Sequence, residues 1–87
     1  MNSENFTLVI NEKGLPPRAV SGLLVGLRDR LGRHLIVTAE PSNDGFYTKI
    51  VMPGEHDFKD LVGVTTEINY WIDPENVIDF SFFGKKA

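Results

Sequence analysis

The chain contains no cysteine. That absence excludes disulfides, thiolate nucleophiles and cysteine-ligated zinc or iron–sulfur sites. Long apolar runs are missing as well, since none approaches the roughly 20 residues that a bilayer-spanning helix requires. The first residues, MNSENFTLVI, lack a basic region followed by a hydrophobic stretch, so a cytoplasmic location without membrane attachment is expected. Nor is there an excess of positive charge. Lys and Arg number 9 against 12 Asp and Glu, a formal charge of -3, which makes general attraction to a phosphate backbone a poor starting expectation. His34 and His56 are the only histidines. Glu55, His56 and Asp57 bring three titratable groups together, but consecutive side chains do not converge on one ion, and a polar turn with a helix cap is the simpler reading. No glycine-rich phosphate loop or nucleophile elbow occurs, because GLLVG at 22–26 falls inside a helical pattern. The expectation is therefore a non-enzymatic protein with no cofactor and no metal.

What is present suits one small core. Of the 87 residues 41% are hydrophobic and 24% charged, near the balance of folded globular chains, so a single α+β domain over 1–87 is expected. The clearest long pattern is GLPPRAVSGLLVGLRDRLG at 14–32, where Val20, Leu23, Leu24, Leu27 and Leu31 recur at helical spacing. Pro16 and Pro17 suit its entry and Gly32 its end. Gly22 and Gly26 fall on one side and predict close packing there.

The strand candidates are 6–10, 34–39, 46–52 and 77–83, with a turn signature over Pro41, Ser42, Asn43, Asp44 and Gly45. In the first, Phe6, Leu8 and Ile10 share a face. In the third, Phe46, Thr48, Ile50 and Met52 do the same, and in the last Ile78, Phe80 and Phe82. The segment 58–72 is ambiguous. As a helix it is capped by Asp57, carries Asp60 in its first turn and presents Phe58, Leu61, Val62, Thr65, Ile68 and Ile72 along one flank; as a strand it alternates Val64, Thr66, Ile68, Tyr70 and Ile72. The helix is favoured, which gives a compact ferredoxin-like β-α-β-β-α-β sandwich, with β-α-β-β-β-β as the alternative.

Charge and aromatic residues point to a partner. Residues 1–43 carry a net charge of +1 and residues 44–87 a net charge of -4. The acidic half also holds Tyr70, Trp71 and Phe83, so a small protein-binding or inhibitor protein is expected, with Tyr70, Trp71, Glu67, Asp73, Glu75, Asp79 and Phe83 as its candidate contacts. A homodimer through the sheet is the other partnership open to such a chain. The alternative is an RNA or single-stranded nucleic-acid module that uses Arg18, Arg28, Arg30, Arg33 and Lys49. A third reading comes from resemblance. The glycine-led order opening at GLPPRAVSGLLVGLRDRLG is similar to that of small amino-acid-binding regulatory domains, which implies a small ligand near Gly14 and Arg18.

Overall fold

The computed structural model describes residues 3–42 and 45–84, with side chains described for 5–41 and 47–81. The elements are β1 (Ser3–Asn11), α1 (Pro17–Leu31), β2 (Ile36–Ser42), β3 (Gly45–Met52), α2 (Phe58–Trp71), a single 3-10 turn (Pro74–Asn76) and β4 (Val77–Gly84). The strands form one sheet in the order β2-β3-β1-β4, and every neighbouring pair is antiparallel. No helix among the described residues is long and apolar enough to cross a membrane.

Period-two alternation explains how the sheet meets the helices. Phe6 pairs with Met52, Leu8 with Ile50 and Phe80, and Ile10 with Thr48 and Val77, so these residues line one face. Phe6, Leu8, Ile10, Ile50 and Met52 are fully buried there against Leu23 and Leu27 of α1 and Val64 and Ile68 of α2. Both helices therefore cover the same side. Each fully buried aliphatic side chain of this kind contributes about 1.5–3 kcal/mol relative to exposure.

Local chemistry sets the helix ends. Pro16 has no side-chain cap bond but holds the extended geometry that leads into α1, while Gly32 closes it at φ 66, a left-handed conformation that a side chain disfavours. Asp57 caps α2 by accepting a hydrogen bond from the Asp60 amide at 2.9 Å. The ambiguous segment is thus helical, and the alternative of a short turn followed by a strand over 64–72 is excluded.

Three expectations require correction. The buried flank of α2 is Leu61, Gly63, Val64 and Ile68, continued by Ile72, whereas Phe58 is 75% exposed and Val62 and Thr65 also face solvent. The helix is rotated so that Gly63, Glu67 and Trp71 meet α1. In β4 the ladder shifts between Val9 and Ile10, leaving Ile78 as a bulge, so Val77 rather than Ile78 packs with Phe80 on the core. The third concerns the loop after β2. Pro41 and Ser42 remain paired within β2, opposite Phe46 and Gly45, a position that proline tolerates on an edge strand. Asn43 and Asp44, at the centre of the expected turn, lie outside the described residues, as do Lys85, Lys86 and Ala87.

Candidate functional site

The two helices run antiparallel and are brought together by three glycines. A Cβ at Gly22 would overlap the far edge of the Trp71 indole, one at Gly26 would overlap the Glu67 carboxylate, and one at Gly63 would press on the Arg30 stem at 3.2 Å. Each glycine accordingly accommodates one large side chain from the opposite helix. Glu67 then links them, as Arg30 Nε–H donates to Oε2 at 2.5 Å and Trp71 Nε1–H donates to Oε1 at 3.1 Å. Because Glu67 is mostly buried and both its oxygens are engaged, Trp71 is held in one orientation with an indole donor satisfied.

This clamp supports a cleft at the end of the helix pair. Pro16, Arg18 and Ala19, from the start of α1, face Tyr70 and Trp71, from the end of α2, around a cavity of about 490 Å³. That volume lies within the usual range for ligand-sized clefts. Tyr70 meets Trp71 edge-on, with ring centroids 4.9 Å apart and planes at 82°, yet is 76% exposed. The cleft thus combines a fixed indole, an accessible phenol and a guanidinium at its rim.

The remaining candidate residues are dispersed. Asp73 and Glu75 are exposed on the segment that leaves Trp71. Asp79 pairs with Val9 on the sheet face away from the helices, and the Phe83 side chain lies outside the described residues. The arginines divide as well. Arg28 and Arg33 line a second cavity of about 550 Å³ with Asp29, Gly32 and His34 at the end of α1. Arg33 also donates through Nη1 to the Pro53 carbonyl at 3.1 Å, crossing Gly54, whose φ of 111 and lack of a side chain leave room for it. Arg30 is committed to Glu67, and Lys49 alternates with buried Thr48 and Ile50, which places it on the opposite sheet face. No continuous basic track joins Arg18, Arg28, Arg30, Arg33 and Lys49.

Of the polar turn and helix cap expected at 55–57, Asp57 supplies the cap, while His56 is buried. It is 1% exposed, stacks on Phe6 at 4.2 Å and 20°, donates through Nε2–H to the Met52 carbonyl at 2.8 Å and meets the Asp60 carboxylate through Nδ1 at 3.0 Å. Both ring nitrogens are thereby engaged in closing β3 onto α2. Among the described residues no group of three or more His, Asp or Glu side chains is placed to hold a metal ion. No protein-family model, curated protein or solved structure matches the chain.

Gly22→Ala tests the geometry of the clamp. Alanine adds about 1 kcal/mol of helix propensity at an interior position, but here it displaces the indole. The expected result is a net stability change within about 1 kcal/mol, as loss of packing offsets that gain. It should be accompanied by a red-shifted emission, which reports Trp71 alone because the chain has one tryptophan. Unchanged emission would show that the ring does not rest on Gly22.

Proposed function

We propose that the chain is a non-enzymatic protein-binding module and that the cleft of Arg18, Tyr70 and Trp71 receives a segment of a partner protein. One observation carries this reading: Trp71 is anchored through Glu67 while its neighbour Tyr70 is left largely exposed beside Arg18. Rigid, accessible aromatic rings bind with little loss of side-chain freedom and are enriched among interface anchors. The partner segment carries a large apolar side chain for the aromatic floor and a carboxylate for the Arg18 guanidinium. Asp73 and Glu75 add acidic groups beyond Trp71, favouring a basic group at that side of the segment.

We infer a ferredoxin-like frame for this site. Counted from the β4 edge, the strand order is β4-β1-β3-β2, and each helix crosses one intervening antiparallel strand, as in a split β-α-β arrangement. Such a frame hosts many functions, so the functional proposal rests on the cleft.

Selection of displayed random peptides on the immobilised chain tests the proposal. Enriched sequences should share an aromatic or large aliphatic residue beside Asp or Glu, and Arg18→Glu should weaken their binding by about tenfold or more, as expected for loss of a charged interface pair. Failure to enrich any peptide, or enrichment of peptides indifferent to Arg18→Glu, would contradict it. Salt-sensitive capture of single-stranded oligonucleotides in their place would favour nucleic acid.

A further inference from the structure

The two edges of the sheet are guarded differently. β4 carries a bulge at Ile78 followed by exposed Asp79, both of which discourage another strand from pairing with it. β2 has no such protection over its first part. It pairs only with β3, its residues Ile36 and Val37 are 52% and 44% exposed on opposite faces, and Thr38 and Ala39 are exposed beside them. Its single charged residue is Glu40, and Pro41 interrupts hydrogen bonding only near its end. An uncovered edge of this kind presents peptide N–H and C=O groups whose natural complement is another strand.

We propose that the chain forms a two-fold dimer through antiparallel pairing of β2 with β2 of a second copy, which joins the two sheets into one. The residues around β2 specify both the occupant and the register. Centring the dyad on Val37 sets Val37 opposite itself and Ile36 opposite Thr38 of the second copy. The same register sets Glu40 opposite His34, whose ring N–H can donate to the carboxylate, and symmetry repeats this contact. The only charge on β2 therefore meets a hydrogen-bond donor in the segment that precedes β2. Pro41 falls opposite Arg33, beyond the regular part of the ladder. Centring on Thr38 would put Glu40 opposite exposed Ile36, and centring on Ile36 would put it opposite Gly32; neither register compensates the carboxylate. In the Val37 register β-branched residues also face each other across the new ladder, a favourable cross-strand pairing. The interface is smaller than that of obligate dimers, so association depends on concentration.

Sedimentation equilibrium of the full chain from micromolar to millimolar concentration tests the proposal. The wild type should pass from monomer to dimer over that range. Val37→Lys, at an exposed position that circular dichroism should show to be tolerated, should weaken association by about tenfold or more by placing like charges on the dyad. Glu40→Lys and His34→Glu should each weaken it, and the chain carrying both changes should recover association, because opposite charges then face each other across the dyad. Trp71→Ala should leave the dimer unchanged, which separates this interface from the cleft. A chain that stays monomeric throughout, a dimer indifferent to Val37→Lys, or a double change that fails to rescue would overturn the proposal.

Discussion

His56→Ala is expected to lower the unfolding free energy by about 3 kcal/mol, the combined order of an aromatic-sized cavity and an orphaned buried acceptor. For a chain of this size that corresponds to a fall of roughly 12–24 °C in Tm. The imidazole is enclosed between β1, the end of β3 and the first turn of α2, so its removal deletes the stack on Phe6 and leaves the Met52 carbonyl without its donor. Asp60→Ala should cost less, about 1 kcal/mol, since the carboxylate is partly solvated and its loss leaves the stack and the Met52 bond in place. The two changes together should cost less than their sum, because both remove the same His56–Asp60 contact. Denaturant unfolding of the four proteins measures this. If Asp60→Ala proved the more damaging substitution, His56 would not be the element that closes α2 onto the sheet.

Trp71→Ala is expected to weaken peptide capture by at least about thirtyfold while retaining the fold. The indole is half-buried and packs at the margin of the core, whereas the core itself is built from Leu23, Leu27, Val64 and Ile68 against the sheet. Truncation removes one hydrogen bond to Glu67 and the packing over Gly22, but Arg30 still pairs with Glu67. The cost to stability should be about 1–2 kcal/mol, below that of emptying a core position. The cost to binding is expected to be larger, at least about 2 kcal/mol, as is usual for a tryptophan at the centre of an interface. Trp71→Phe retains a flat apolar surface without the Nε1 donor and should fall between the two.

The parts of this structure that depend on neighbours in the chain are legible in the sequence. The leucine spacing of α1, its end at Gly32, the cap at Asp57 and the alternation of β1 and β3 all follow from local periodicity and backbone preference. The glycine pair at 22 and 26 also predicts close packing, and it is met by Trp71 and Glu67. What sequence periodicity does not encode is how one element turns toward another. Phe58 and Val62 complete an apolar flank on paper, yet contact with α1 rotates Gly63, Glu67 and Trp71 inward and leaves Phe58 outside. The Ile78 bulge is set by the ladder to β1 and likewise has no local signature. His56 carries one usable signal, since a residue that precedes a helix cap often packs inward against the first turn, and Asp60 lies four residues further on, within reach of its ring. Residue type and sequence distance do not reveal the cleft, because Arg18 lies far along the chain from Tyr70 and Trp71 and only the antiparallel helix pair joins them.

The most direct test is calorimetric titration of a selected peptide into the wild type and into Trp71→Ala under identical conditions, with circular dichroism confirming that both are folded. Binding through the Arg18, Tyr70 and Trp71 cleft predicts at least about thirtyfold weaker affinity for Trp71→Ala, the equivalent of 2 kcal/mol. Equal affinity in two folded proteins would place the binding surface away from the cleft.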